Sequence, residues 1–134
     1  MILVDTGILA AFVNSRDQNH SRSEQLLDQL RQGGYGVGIV TDYVLDEVLS
    51  LIFVRTRRHE LCIKIGELII SQKIGKFLLI PDEIVYKSWD TYKKYVMKGL
   101  SFTDCSIIAT AGMLNSNQIL SFDKGFDGIL DRIH

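Results

Sequence analysis

Four acidic side chains, Asp5, Glu47, Asp104 and Asp123, are the groups in this sequence best placed to do chemistry together. Asp5 ends the apolar run Ile2-Leu3-Val4, and Asp123 follows Ile119-Leu120 after Ser121-Phe122. Glu47 stands a few residues beyond the apolar Val37 to Val40, and Asp104 opens a segment of helical pattern. Carboxylates packed together repel, and each tends to protonate unless a cation neutralises it. Mg²⁺ suits such a cluster, because it takes oxygen ligands at about 2.0–2.1 Å and keeps several waters. Two such ions about 3.5–4 Å apart clamp the attacking and leaving oxygens of an in-line displacement at phosphorus. Mn²⁺ accepts the same ligands. Taken singly, each acid has a plainer explanation. Asp5 would cap a helix, and Glu47 would be a solvated rim residue. Asp104 would stabilise a helix dipole by about 0.3–1 kcal/mol, and Asp123 would belong to a turn. Asp42, Asp46 and Asp127 are weaker candidates.

The elements that must position these acids follow from periodicity. Ile2 to Val4 reads as a buried strand, and Asp5 or Thr6 caps a helix through Phe12. Asn14 to Asn19 reads as a loop. A helix from about His20 to Gln32 carries the stripe Leu26, Leu27 and Leu30, and Gly33-Gly34 end it. Val37 to Val40 is a second strand. Thr41 caps a long helix on which Val44, Leu45, Val48, Leu49 and Ile52 recur at helical spacing. Arg55 to Glu60 reads as a helix junction, and Leu61 to Ile70 as a further amphipathic segment. Phe77 to Ile80 is a third strand, Pro81 fits the first turn of the next helix, and Gly99 stops that helix. Thr103 caps a helix from Asp104 to Leu114. Ile119-Leu120 forms a fourth strand, and Gly128 to His134 can add a short edge strand.

Strands alternating with helices predict a parallel sheet of four or five strands covered on both faces. Ligands of such sheets bind beyond the carboxyl ends of the strands. That rule brings the four acids to one rim.

Composition bounds the rest. The 134 residues suit one domain, residues 1–134, and 46% hydrophobic with 23% charged is globular composition, not disorder. No apolar run approaches the roughly 18 residues that span a bilayer, and no signal peptide is evident, so a soluble cytoplasmic protein is expected. The formal net charge of −1 excludes nucleic-acid binding by bulk charge and leaves local basic patches or metal ions. Cys62 and Cys105 have no metal-type spacing, and His20, His59 and His134 show no ligand pattern. Arg55, Arg57, Arg58 and His59 form one basic cluster, and Lys93, Lys94 and Lys98 another. Lys124, beside Asp123, is the preferred phosphate contact. Tyr86, Trp89, Tyr92 and Tyr95 recur at helical spacing, as a core or dimer surface would.

At these residues the sequence resembles the PIN-domain family. Ile2-Leu3-Val4-Asp5-Thr6-Gly7 looks like the family's first motif, and Val44-Leu45-Asp46-Glu47-Val48 like its second. Leu100-Ser101-Phe102-Thr103-Asp104-Cys105-Ser106 looks like the third, and Ile119-Leu120-Ser121-Phe122-Asp123-Lys124-Gly125-Phe126-Asp127 like the fourth. They fall in family order along nearly the whole chain. The resemblance implies a three-layer α/β/α sandwich with a mainly parallel sheet. It implies Mg²⁺ or Mn²⁺ held by Asp5, Glu47, Asp104 and Asp123, and hydrolysis of single-stranded RNA by metal-activated water. It also implies Thr6, Thr103 and Ser121 as hydroxyl groups that orient carboxylates or water. The small size resembles the VapC type of toxin, commonly a homodimer inhibited by a cognate antitoxin. Gly125 stands where many relatives carry a further acid, and Asp127 is the substitute for that charge.

Other functions compete. A housekeeping RNA-processing PIN nuclease and a catalytically silent PIN interaction module share these motifs. A haloacid-dehalogenase-type phosphatase needs a second acid where Gly7 stands. A receiver domain needs an acidic pair and a phosphoacceptor, which Gly38-Ile39-Val40-Thr41-Asp42 imitates poorly. The absence of a plausible His pair argues for water as nucleophile, leaving a 5′-phosphate and a 3′-hydroxyl.

Overall fold

A computed structural model describes residues 1–134. Five short strands, β1 (Ile2–Val4), β2 (Gly38–Thr41), β3 (Lys76–Leu78), β4 (Gln118–Leu120) and β5 (Asp131–Ile133), form one sheet. Its order is β3-β2-β1-β4-β5, and every pairing is parallel. The helices are α1 (Thr6–Val13), α2 (His20–Arg31), α3 (Asp42–Thr56), α4 (His59–Ile70), α5 (Asp82–Tyr95) and α6 (Phe102–Met113). The expected doubly covered α/β/α sheet is therefore observed, with five strands.

The order of strands explains the position of the site. From β1 the chain steps to β2 and then β3, and next jumps back across β1 to β4. Right-handed crossovers put the helices of the first two steps on one face and those of the jump on the other. Accordingly α1 packs on α2 and α3, α3 packs on α4, and α5 and α6 pack chiefly on each other. The crevice opens where the direction reverses, between the carboxyl ends of β1 and β4. A receiver domain has the order 2-1-3-4-5, so the topology excludes that reading.

The central strands are apolar because both faces are covered. Ile2, Leu3, Val4, Ile39, Val40, Ile119 and Leu120 are all buried. Around them Ile8, Leu26, Val44, Val48, Ile52, Ile65 and Ile107 complete the core. The edge strands β3 and β5 are only half-buried. The link from β4 to β5 has no α-helix, only a 3₁₀ turn at Lys124–Phe126, which fully buried Phe126 anchors.

Several local expectations need correction. Asp5 occupies the backbone position that caps α1, but its side chain makes no capping bond. Thr103 does not cap α6. Ser101 does, accepting from the Asp104 amide at 3.0 Å while Asp104 Oδ2 accepts from the Ser101 amide at 2.8 Å. The helix therefore begins at Phe102. Pro81 precedes α5 rather than opening it. Thr41 does cap α3, with the Val44 amide at 3.2 Å from its Oγ1. Gly99 ends the turn after α5 at φ 71°, where any side chain would be strained.

Candidate active site

Asp5, Glu47, Asp104 and Asp123 line one cavity of about 340 Å³ at the carboxyl edge of the sheet. Each arrives by a different route. Asp5 leaves the end of β1, and its amide donates to Leu120 O of β4 at 3.0 Å. Glu47 projects from the second turn of α3, Asp104 from the first turn of α6, and Asp123 from the turn beyond β4.

A few hydrogen bonds hold this group together. Ser121 Oγ donates to Asp5 Oδ2 at 2.6 Å and accepts from the Asp123 amide at 2.9 Å. One hydroxyl thus fixes two of the acids. Ser101 Oγ lies 3.4 Å from Glu47 Oε2, so the cap of α6 reaches α3. Asp104 gives one oxygen to its capping box and keeps the other free. Asp123 Oδ1 accepts from the Gly125 amide at 2.7 Å. Gly125 leaves room in that turn, because a Cβ there would sit 2.6 Å from Leu100 Cδ2 and 3.1 Å from Asp123 Oδ1 and would make both side chains shift.

Burial raises the proton affinity of two of these acids, Asp5 and Asp104. Asp5, only 5% exposed, is pushed up to about 7 by desolvation, with the charges of Asp104 and Glu47 adding to it. The Ser121 bond pulls the other way. Burial also raises Asp104, opposed by its bonds to Ser101 and reinforced by the charges of Glu47 and Asp123. Cys105 is fully buried, and burial lifts its thiol to about 11, so it carries no nucleophilic role.

The remaining expected residues divide. Thr6 lines the cavity, and its buried Oγ1 has no hydrogen-bond partner. Ser121 sits beneath the acids. Thr103 lies outside the lining, and its carbonyl accepts from Ser106 Oγ at 2.6 Å. Asp127 does not replace the acid absent at position 125. Its carboxylate faces Arg132, with Nε at 2.6 Å and Nη2 at 3.2 Å, and that partner lowers its pKa. Lys124 is exposed and also outside the lining. Arg55, Asp17, Leu51 and Phe122 do line the cavity and were not expected there. For Arg55 and Leu51 a signal existed, since Glu47, Leu51 and Arg55 follow one another at four-residue spacing on one face of a helix. Asp17 and Phe122 carried none. None of the three histidines lines the cavity.

The residues fit a hydrated divalent cation. No three His, Cys, Asp or Glu side chains stand close enough to grip an ion directly. Mg²⁺ commonly keeps several waters, so ligands reaching it through water suit this wider spacing. The donors are hard oxygens, Thr6 Oγ1 lacks a partner, and Asp5, raised chiefly by burial, also feels the charges of Asp104 and Glu47. A larger depression of about 490 Å³ between α3 and α4, lined by Leu49, Phe53, Cys62 and Ile63, offers no comparable donor set.

Comparison with known proteins agrees with this architecture. A VapC ribonuclease of Archaeoglobus fulgidus is 28% identical over 125 residues, which is 92% of this chain and 78% of that protein. The crystal structure of Mycobacterium tuberculosis VapC20, described as a sarcin-ricin loop cleaving toxin, superposes with a TM-score of 0.85 at 20% identity, covering 97% of both chains. The PIN domain family model matches residues 2–129, and the chain therefore belongs to the PIN domain family.

Proposed function

We propose that this protein is a Mg²⁺-dependent endoribonuclease, with Mn²⁺ as a substitute, that hydrolyses single-stranded RNA as the toxin of a toxin–antitoxin pair. One observation carries the proposal: Asp5, Glu47, Asp104 and Asp123, far apart in sequence, line a single cavity at the switch point of the sheet. The family is generally dependent on divalent metals, and the names of its relatives support ribonuclease and toxin. A cognate antitoxin, a homodimer and a cytoplasmic location belong to the same reading. No helix is long and apolar enough to cross a membrane.

Asp5, Asp104 and Asp123 would hold the cation in part through its waters, with Glu47 completing the set directly or through water. A cation bound there lowers the pKa of water and neutralises charge on the reacting phosphate. The chain's own residues supply position and proton control. Near neutral pH Asp5 is balanced between its neutral and ionised forms, so loading the site releases a proton. Ser121 favours the ionised form by donating to Oδ2. Ser101 aligns Glu47 with Asp104 through one hydroxyl and one amide. Thr6 Oγ1, buried at the cavity wall, has no partner within the protein. With no histidine at the cavity, the RNA's own 2′-hydroxyl has no imidazole pair to activate it. Hydrolysis leaving a 5′-phosphate and a 3′-hydroxyl follows.

The test is cleavage of a single-stranded RNA pool by purified protein with Mg²⁺, with Mn²⁺ and with EDTA, beside Asp104→Asn. Asparagine keeps an oxygen for the capping box, so the variant should fold and lose at least about 100-fold in rate, the scale of a lost charge-stabilising group. Cleavage that persists in EDTA, or ends in a 2′,3′-cyclic phosphate, would overturn the reading.

A further inference from the structure

Arg55 is the only cationic side chain lining a cavity that five carboxylates also line: Asp5, Asp17, Glu47, Asp104 and Asp123. It stands two turns beyond Glu47 on α3, about 12 Å along the axis. Side chains on a helix lean towards its N-terminus, which brings the guanidinium back over the cavity. Its one partner is Asp17, with Nη1 3.8 Å from Oδ2, too long for a hydrogen bond. No hydrogen bond occupies any of its donors. Asp17 is held firmly, because its Oδ1 accepts from the Asn19 amide at 2.8 Å and its carbonyl accepts from the His20 amide at 3.0 Å. A guanidinium with unused donors, loosely tethered to a fixed carboxylate, is ready to exchange that tether for a phosphate.

We infer that Arg55 binds an RNA phosphate flanking the one that is cut, and that Asp17 is the internal counter-ion which the phosphate displaces. The inference rests on the nuclease reading above. Arg55 makes an ion pair with Asp17 and with none of the other four acids, so it serves register on the substrate and not the bond-breaking step. Leu51, on the same helix face between Glu47 and Arg55, gives the cavity an apolar stretch between the two polar ends. Lys124, outside the lining, is the contrasting cation.

Binding and cleavage are measured separately, so the two readings fail separately. Binding of a fluorescein-labelled random single-stranded RNA of about ten nucleotides, a length within known site sizes, is followed by anisotropy with Ca²⁺ at several salt concentrations. The proteins are wild type, Arg55→Met, Arg55→Lys, Asp17→Asn and Lys124→Ala. Arg55→Met should weaken binding at least about fivefold and flatten the slope of log affinity against log salt by about 0.7, one phosphate's worth on a single strand. Arg55→Lys should recover part of the affinity and the full slope, and Asp17→Asn should tighten binding. With Mg²⁺, the loss in Arg55→Met should appear in KM and leave kcat within about twofold. Wild-type slope and affinity in Arg55→Met would overturn the inference. So would a loss in kcat alone, or a wild-type protein that binds no single-stranded RNA. Binding that behaves as expected without cleavage would sustain Arg55 as an RNA-phosphate contact and sink the nuclease reading, and with it the place of that phosphate beside a cut bond.

Discussion

Replacing Asp5 by asparagine should stabilise the protein in neutral and alkaline solution while it removes activity. Folding raises the Asp5 pKa from 3.8 to about 7, chiefly through burial. The folded state therefore holds its proton more tightly than the unfolded chain, and stability falls as pH rises between those two values. A gap of about three pH units, at about 1.36 kcal/mol each, gives a loss of about 4 kcal/mol complete above pH 7. Asparagine carries no charge and escapes it. Its Oδ1 can still accept from Ser121, but its amide hydrogens enter a site with no acceptor assigned to them, at a cost of about 1–3 kcal/mol. The net gain near pH 8 is about 1–3 kcal/mol, or roughly 3–10 °C in Tm for a domain of this size. Thermal unfolding by circular dichroism in EDTA, from about pH 5 to 8, measures it. The wild-type Tm should decline across that range more steeply than the variant's, with the difference largest at the alkaline end. Mg²⁺ should raise the wild-type Tm and leave Asp5→Asn nearly unchanged, since binding only the folded state stabilises it. Parallel curves in EDTA would refute the argument, because they would mean that Asp5 is not the buried charge the fold opposes.

Two further predictions address the supports of the site. Ser121→Ala removes the hydroxyl that pulls the Asp5 pKa down and leaves the Asp123 amide without its acceptor. It should cost about 1–3 kcal/mol and move the acidic limb of the pH–cleavage profile to higher pH. An unmoved limb would show that Asp5 does not set it. Gly125→Ala drives a Cβ against Leu100 and the Asp123 carboxylate. Overpacking of about 1–3 kcal/mol and at least about a tenfold loss of cleavage should follow, and wild-type cleavage would show that the position of Asp123 is not critical.

Much of this molecule is written in local pattern. Ile2 to Val4, Val44 to Ile52 and Ile119-Leu120 declare strands and a helix by period and β-branching, because those signals depend only on neighbours in the chain. The four acids were legible for the same reason, Asp5 and Asp123 lying beyond strands and Glu47 and Asp104 in the opening turns of helices. The start of α6 was misread because Ser101 and Thr103 are both capable caps. The decision lay with Asp104, which as the third helical residue can return a bond only to Ser101. What the chain alone could not show was which distant groups meet. Asp127 was expected to add charge to the site, yet the return of β5 beside β4 places Arg132 against it. Lys124 was preferred because it adjoins Asp123 in sequence, but the side chain that enters the cavity is Arg55, two helical turns from Glu47. The pKa of Asp5 near 7 is also a tertiary property, since it arises from the water that folding removes and the acids that folding brings near. Sequence determines the elements and the residue types at their ends. Tertiary structure alone sets burial and juxtaposition, and electrostatic energy depends on both.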